Sequence, residues 1–459
     1  RGLDQLRHGV GDATLTVAVP APQGAGAPGA AWPPESRGWF VVAVLCLCSI
    51  VSFIDRQIIN LLVEDLRRDL RLSDSSIGLL QGLSFALFYA ACAVPLGRVA
   101  DTANRRRLIA AGMCVWTAAT ALCGLAGSFL QLFCARVLVG VGEATLTPST
   151  FSMFADLFRP QRLALPCGIY TGSSFVGSGI ALLLGGAILA QLASSGVPTL
   201  PLVGQPKVWQ AAFMLAALPG VFVVLLFLAT VREPERRGLA PGRSAERPTL
   251  AELLAFYRSN VPVFNAVFFG VALVGAVQFS IGAWTPAFFM RVHHWTAPQA
   301  GAAYGLVLLV CGTGGSIAGG WLADWLEARK GQGHLRTALF SALATLPFAA
   351  AYPLVPSGSW AVVLLVPTVF IGSLSLGSGP ALIPAFAPPR MRGVLVAVYL
   401  FAGSLLGQAL GPFLVGASTD HLFGAPERVR DSLVLVTSLL LLSAAAFLAT
   451  GLRAMRRAG

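Results

Sequence analysis

Twelve apolar runs, each long enough to cross a lipid bilayer, constrain the fold of this chain more than any other feature. A transmembrane helix needs about 20 mostly apolar residues, because in hydrocarbon the backbone must satisfy its own hydrogen bonds. With 56% hydrophobic and only 11% charged residues, the composition is that of a multi-pass membrane protein. We therefore expect an all-α polytopic membrane protein with twelve transmembrane helices. The runs span approximately 38–63, 76–98, 107–128, 130–157, 163–192, 208–231, 261–290, 298–326, 335–355, 359–386, 391–419 and 432–453.

The basic residues predict the orientation of these helices. An even number of spans places both termini on one side of the membrane. Of the 32 Lys and Arg residues, 23 lie on the side of the termini, seven lie on the opposite side and two lie within the runs. Cytoplasmic loops carry the excess of Lys and Arg, so we expect a plasma (inner) membrane protein with both termini cytoplasmic. The net charge of +12 is explained by these short clusters, and no motif for nucleic-acid binding accompanies it.

An internal repeat divides the chain into two halves. The segment 97–101 after the second run and the segment 320–324 after the eighth both read G-x-x-A-D and precede a basic cluster. Repeated units of this kind are typical of secondary transporters. We predict two pseudo-symmetric six-helix halves at 37–231 and 261–453, joined by a cytoplasmic linker at 232–260. Residues 1–36, rich in Gly, Ala and Pro, are expected to form a disordered cytoplasmic tail, and 454–459 a short cytoplasmic one.

Four charged side chains lie inside apolar runs, and all belong to the first half: Asp55, Arg56, Arg136 and Glu143. A charge in the hydrocarbon core is costly and usually marks a substrate or proton path. Counted at the rise of an α-helix, Asp55 and Arg136 fall at a similar depth, so we expect them to interact. Glu143 falls nearer the midplane, where an unpaired carboxyl group takes up a proton readily. We assign proton coupling to Glu143 and Asp55, although buried pairs that only fix packing or neutralise charge remain an alternative.

The second half offers polar rather than charged candidates. Gln278, Trp284 and Ser373 lie on its first and fourth runs, which the family resemblance described below implies to face a central cavity. Together with Arg56 and Arg136 in the first half, they are the predicted substrate-binding residues. One charged wall and one weakly polar wall suit an amphipathic substrate, but helical Ser and Trp residues also serve as packing residues.

The segment 97–107 resembles the loop between helices two and three of the major facilitator superfamily, roughly G-x-x-x-D-R-x-G-R-R. Thr102 and Asn104 depart from that pattern, and Asn104 is expected to preserve the turn because Asn tolerates a left-handed conformation. The segment 136–142 is similar to the R-x-x-x-G-x-G motif of the same superfamily. The resemblance implies a latch that holds the two halves together on the cytoplasmic side. The predicted latch residues are Gly97, Asp101, Arg105, Arg106 and Asp324.

Three motifs together narrow the resemblance to the spinster-like branch. They are D-R at 55–56, D-x-x-N-R-R at 101–106 and G-x-G-E-A at 140–144. The resemblance implies transport of lysolipids or sphingosine phosphates. We therefore predict a secondary active transporter that works by alternating access, is coupled to protons and moves an amphipathic anionic or zwitterionic lipid.

Two other classes of function compete with this prediction. An organic-anion or multidrug exchanger of the same superfamily would use the same arginines for a small carboxylate. A membrane enzyme or receptor would need a nucleophile–base or metal constellation, or a sizeable soluble domain, and the sequence suggests neither. No Walker motif points to ATP, and the cysteines lack the spacing of a metal site. We expect no cofactor beyond the proton gradient, no metal, and a monomer whose partners are its substrate and the lipid bilayer.

Overall fold

The computed structural model describes residues 32–159, 162–197, 199, 204–236, 249–378, 391, 395, 398–399 and 401–458. The elements within them are helices, which we number α1 to α12 by apolar run. In the first half, α1 is Glu35–Gln57, α2 is Asp74–Gly78 with Leu79–Leu83 and Ser84–Thr102, α3 is Arg105–Cys123, α4 is Phe129–Glu143 with Leu146–Leu157, α5 is Ala164–Ser195 and α6 is Val208–Thr230.

In the second half, α7 is Val261–Asn265 with Ala266–Gly270 and Val271–Val292, α8 is Ala297–Val307 with Leu308–Gly312 and Thr313–Lys330, α9 is Gly333–Ala351, α10 is Gly358–Ser378, α11 includes Gly403–Leu410, Gly411–Ala417 and Ser418–Phe423, and α12 is Pro426–Arg428 with Val429–Ala458. Nine helical stretches within the described ranges are long and apolar enough to cross a membrane. They come from all the runs except those of α3, α9 and α11.

Several boundaries refine the predicted domain limits. The first helix begins at Glu35, inside the segment expected to be a tail, and residues 1–31 of that segment lie outside the described residues. Within the predicted linker, 237–248 lie outside them as well, and Leu250–Ser259 form a helix capped by Thr249. The final helix continues to Ala458, so the expected short tail is largely helical.

The two halves meet along two pairs of helices, α2 with α11 and α5 with α8. Glycine permits close approach in both pairs. A Cβ atom on Gly179 of α5 would lie 2.7 Å from the carbonyl oxygen of Gly305 of α8, and a Cβ atom on Gly78 of α2 would lie 2.7 Å from the carbonyl oxygen of Pro412 of α11. The backbones therefore touch at these two crossings.

The α2–α11 crossing lies on the side of the bundle away from the start of α1 and the end of α12. The α5–α8 contact begins at the middle of α5 and continues toward that side, where a Cβ atom on Gly186 would lie 3.1 Å from the Cα atom of Pro298. We call the side that carries those two helix ends the terminal side, and the opposite one the far side. Among the described residues the halves are in backbone contact on the far side, and the space between them extends toward the terminal side. Three helices at this interface (α2, α8 and α11) contain a π-helical turn among the described residues, a distortion often found near functional sites.

Candidate functional site

A cavity of about 690 Å³ lies between the two halves. Its wall runs from Asn60 and Gln81 at the closed end to Gly97 and Arg98 at the terminal-side end of α2. Most of the wall is apolar or aromatic, and a few polar groups converge on it, as in ligand-binding pockets generally. Arg56 and Arg98 are the charged side chains of this wall within the described part of the chain. The cavity therefore offers positive charge to its contents.

Arg56 forms an ion pair with Glu143 across the packed helices α1 and α4. The Glu143 carboxylate is buried, with 1% side-chain exposure, and it also accepts a hydrogen bond of 2.6 Å from the Ser52 hydroxyl. The Arg56 guanidinium faces the cavity and lies 4.5 Å from the ring centre of Phe53 and 4.0 Å from that of Phe85. Such cation–π contacts stabilise the guanidinium in this position. Glu143 is therefore not the unpaired group that we expected.

The physical reason is the rotation of α1. Ser52 and Arg56 are one turn apart and share a face, and that face points at Glu143. Asp55, one residue earlier, is turned about 100° away and points into the first half. Depth along the helix could be counted from the sequence, whereas this rotation could not.

Arg136 is buried and holds the end of α1 through its backbone. Its guanidinium donates to the carbonyl oxygens of Asp55 at 3.0 Å and Arg56 at 3.2 Å. Helix α1 tightens there into the 3₁₀ turn Ile58–Leu61, and carbonyl groups at a helix end need other donors. The expected contact with Asp55 thus goes to its backbone and not to its carboxylate. Arg136 is not part of the cavity wall in this conformation, which is against a direct role in substrate binding.

Asp55 is the most unusual residue of the site. Its side chain is fully buried, and neither carboxylate oxygen has a hydrogen-bond partner among the residues that the structure describes. The Thr120 hydroxyl group lies close to this carboxylate but outside hydrogen-bonding geometry. Buried polar groups are almost always paired, so an isolated carboxyl group in this position requires an explanation.

The three candidates of the second half differ in position. Gln278 lies on the cavity wall and donates to the carbonyl oxygen of Val369 and the hydroxyl group of Ser373, both at 3.3 Å. Ser373, although buried, also borders the cavity beside Gln278. Trp284 is wrongly predicted as a wall residue, because it is fully buried and its indole N–H donates to the carbonyl oxygen of Pro412 at 2.9 Å. It packs α7 against α11 within the second half.

Two of the predicted latch residues, Arg105 and Arg106, form bonds within the first half. Arg105 is buried, pairs with Asp156 of α4, and donates to Glu233 at 2.7 Å. The backbone N–H of Arg106 donates to the other oxygen of Glu233 at 2.8 Å. These bonds tie α3, α4 and the end of α6 together within the first half. The turn before α3 is not left-handed as expected, because Asn104 is extended and caps that helix.

Gly97 and Asp324 make no such bonds in the described part of the chain. Gly97 faces Pro148 of α4, where a Cβ atom would have ordinary contact at 3.8 Å. Asp324 is exposed and has no ion pair within the described ranges. Asp101 ends α2, but its side chain lies outside the described residues.

Sequence reasoning missed an ion-pair network that joins the halves on the far side. Arg291 of α7 contacts Asp74 of α2 at 2.7 and 2.8 Å and Glu64 at 2.6 Å. Asp420, in the turn that ends α11, accepts from the backbone N–H groups of Asp74 at 3.1 Å and Ser75 at 2.6 Å. Burial alone would raise the pKa of Asp420, but these N–H donors and the Ser75 hydroxyl outweigh it and lower the pKa. The opposite charges of Glu64 and Asp74 in one half and Arg291 in the other, at helix ends on the same side, could have indicated this contact.

It also missed three amide side chains at the closed end of the cavity: Gln57, Asn60 and Gln81. All three stand inside or at the edge of apolar runs, where an amide is unusual. That position could have identified them.

Comparisons with known proteins agree with this architecture. The sequence profile of the Major Facilitator Superfamily matches residues 45–412. An MFS-type efflux pump of Mycolicibacterium smegmatis is 31% identical over 411 residues, which cover 89% of this chain and 91% of that protein. Protein spinster of Drosophila melanogaster is 26% identical over 399 residues, covering 83% of this chain and 62% of the longer fly protein. Protein spinster homolog 1 of Homo sapiens is 27% identical over 414 residues, covering 84% and 74%.

A solved structure is similar over nearly the whole bundle. It is a bacterial homologue of the human lysosomal transporter Spinster, in an inward-facing and unoccupied conformation. Its TM-score is 0.76 at 26% sequence identity, and the match covers 91% of this chain and 98% of the other. The predicted fold class is confirmed. The chain belongs to the spinster-like branch of the Major Facilitator Superfamily and is a multi-pass membrane transporter, not an enzyme.

Proposed function

We propose that this protein is a secondary active transporter of an amphipathic anionic or zwitterionic lipid, such as a lysophospholipid or a sphingosine phosphate. The observation that carries the proposal is the cavity itself, in which Arg56 offers a positive charge and most of the wall is apolar. A small hydrophilic anion would leave that apolar wall without a partner. A lipid with one chain would use both parts.

The two ends of such a substrate have different positions. The anionic group lies at Arg56, whose guanidinium already rests on the Phe53 and Phe85 rings. The hydrocarbon chain lies against apolar side chains from both halves: Phe175, Phe279, Leu308, Leu376 and Phe401. Burying a methylene group contributes about 0.8 kcal/mol, so a long chain adds substantial affinity to a single ionic contact.

Transport proceeds by alternating access. The far side is closed by the α2–α11 and α5–α8 crossings, while the cavity opens to the terminal side. With both termini in the cytoplasm of a cell and the protein a monomer in its plasma (inner) membrane, this is the inward-open state. The inward-facing structure of the similar bacterial homologue supports that assignment.

Proton coupling involves two carboxyl groups with different surroundings. Glu143 is neutralised by Arg56, and an anionic substrate at Arg56 competes with it. Once displaced, the buried Glu143 would be an uncompensated charge, which favours proton uptake. Asp55, without a hydrogen-bond partner among the described residues, suits a proton-carrying carboxyl group in this conformation.

One observation favours a second function. The mycobacterial relative that is 31% identical is an MFS-type efflux pump. A multidrug or organic-anion exchanger would use Arg56 for the carboxylate of a compact amphiphile. The two functions differ in whether a long hydrocarbon chain is required.

Uptake into proteoliposomes with an imposed pH gradient tests the proposal. We expect faster flux of a labelled lysophosphatidylglycerol than of benzoate, and faster flux with the gradient than without it. Glu143→Gln and Asp55→Asn should remove the dependence on the gradient, and Arg56→Gln should weaken lysolipid binding. Trp284→Phe, which alters a buried packing residue, is the matched control.

Two results would count against it. Gradient-driven flux that survives in both carboxyl variants would refute the proton assignment. Transport of benzoate without transport of the lysolipid would replace the lipid transporter with the organic-anion exchanger.

A further inference from the structure

The closed end of the cavity is built from three linked amide side chains. The Asn60 amide nitrogen lies 2.5 Å from Oε1 of Gln57, and the Gln81 amide nitrogen lies 3.1 Å from Oδ1 of Asn60. Gln57 in turn donates to the Ser178 hydroxyl at 3.2 Å. We call Gln57, Asn60 and Gln81 the amide cluster. All three border the same cavity as Arg56.

The amide cluster joins the two halves of the protein. Asn60 donates to the carbonyl oxygen of Gly282 at 3.3 Å, and Gln81 donates to the carbonyl oxygen of Ala283 at 2.9 Å. Both acceptors belong to α7 in the second half. Pro286, four residues after Gly282, has no N–H group, so the Gly282 carbonyl lacks its helical donor and is free for Asn60. The second half thus presents backbone acceptors to side chains of the first half.

The amide cluster has unused hydrogen-bonding capacity. The Oε1 atom of Gln81 is buried and has no hydrogen-bond partner in the described part of the chain. An amide oxygen accepts up to two hydrogen bonds. Gln81 also lies one turn before Phe85 on α2, and the Phe85 ring carries the Arg56 guanidinium. Gln81 and Arg56 therefore lie near each other on the cavity wall.

We propose that the amide cluster is a second subsite of the cavity, which binds a hydroxyl group next to the anionic group of the substrate and thereby weakens the closure of the far side. This inference rests on the proposed function. A hydroxyl group donates to Gln81 Oε1 and accepts an amide N–H that is otherwise directed at Gly282 or Ala283. Binding and opening are linked because the same N–H groups serve the ligand or the opposite half, but not both.

The substrate class follows from this chemistry. The favoured headgroup combines a negative charge with a neighbouring hydroxyl group, as in a glycerol phosphate. An alkyl sulfate of equal chain length has the charge and the chain but no hydroxyl group. It should bind at Arg56 without disturbing the two bridges to α7.

The experiment compares lysophosphatidylglycerol with hexadecyl sulfate in nanodiscs. Spin labels on unnatural amino acids at Ser195 and Glu427, exposed far-side positions in opposite halves, leave the eight native cysteines in place. Affinity is measured separately by quenching of tryptophan fluorescence. For the native sequence we expect both compounds to bind, and only lysophosphatidylglycerol to raise the population with a long label distance, by about fivefold.

Gln81→Met should raise that population about fivefold without ligand, because one bridge is lost. It should also reduce the affinity ratio between the two compounds to less than twofold. Asn60→Ser, a smaller change, should act in the same direction and covers the case in which Gln81→Met folds poorly. Gln408→Leu is the matched control, because this cavity amide bonds to Ser404 within α11 and not across the halves.

The outcomes separate the two proposals. If both compounds bind the native protein equally and open the far side equally, or if both amide variants behave as the control does, the hydroxyl subsite is wrong and the proposed function stands. If neither compound binds the native protein, the proposed function fails and the subsite fails with it.

Discussion

Separating Arg56 from Glu143 gives the sharpest test of the site. Arg56→Met removes the guanidinium and leaves Glu143, with 1% side-chain exposure, as a buried charge without its cation. Breaking a buried pair in this way costs about 3–5 kcal/mol. Because the Arg56 side chain keeps 14% exposure on the cavity side, we expect the free energy of unfolding to fall by about 3 kcal/mol, the lower end of this range. The protein should remain folded, since Ser52 still donates to Glu143.

The opposite change is expected to be milder. Glu143→Gln keeps the shape of the side chain and an oxygen for Ser52, and Arg56 remains on its aromatic rings beside the cavity. The loss is one charge-assisted hydrogen bond, or about 1.5–3 kcal/mol. In the double variant neither group is left without its partner. Its loss of unfolding free energy should therefore be smaller than the sum of the two single losses by about 1–3 kcal/mol.

The assay is unfolding by SDS in mixed micelles, followed by tryptophan fluorescence, for the four members of this double-mutant cycle. Trp284→Phe and Gln408→Leu would serve as unrelated single variants. If the Arg56 and Glu143 effects add to within about 0.5 kcal/mol, the two side chains are independent and the ion pair contributes nothing to the site.

Three further predictions concern closure and packing. Arg291→Gln should increase the far-side-open population at least tenfold, measured by the same spin-label distance, because Glu64 loses its cation and Asp74 keeps only Arg67, at 3.7 Å; an unchanged distance distribution would contradict it. Because the pKa of Asp420 is lowered in the closed protein, its carboxylate stabilises closure fully above about pH 4 and loses that effect only as the pH falls below this value. The native far side should therefore open no more readily at pH 5 than at pH 8, whereas Asp420→Asn should open more readily than the native protein at both; equal opening of the native protein and the variant at both values would refute this. Trp284→Phe should lower the free energy of unfolding by about 1 kcal/mol and leave the lysolipid affinity unchanged, because the lost hydrogen bond lies within the second half. A weakened affinity would instead support the predicted role of Trp284 in substrate binding.

The apolar runs and the internal repeat were sufficient to predict the fold class, because a bilayer restricts a spanning chain to very few structures. The charges within those runs led to the region of the site for a similar reason. Burying a charge is costly, so four charges in apolar runs indicate a functional region. They do cluster where α1 packs against α4: Asp55, Arg56, Arg136 and Glu143.

Their partners could not be predicted, because a neighbouring residue on a helix points about 100° away. This rotation decides that Arg56 and not Arg136 faces Glu143. Trp284 shows the same limit in the second half: α7 is apolar all round, so its sequence has no pattern that distinguishes the cavity from a helix contact. Pro286 shows in the sequence that the Gly282 carbonyl lacks a helical donor. Only the tertiary structure shows that Asn60 is the donor that replaces it.

The Arg56–Glu143 pair has a consequence for the driving force. Empty, the pair contributes no net charge to the cavity. If a monovalent anion takes the place of Glu143 on Arg56 and the freed carboxylate gains one proton, the loaded cavity again carries the same charge as the empty one. The translocation step would then be electroneutral, and a potassium diffusion potential imposed with valinomycin would leave the transport rate unchanged, whereas a change in proton concentration would not.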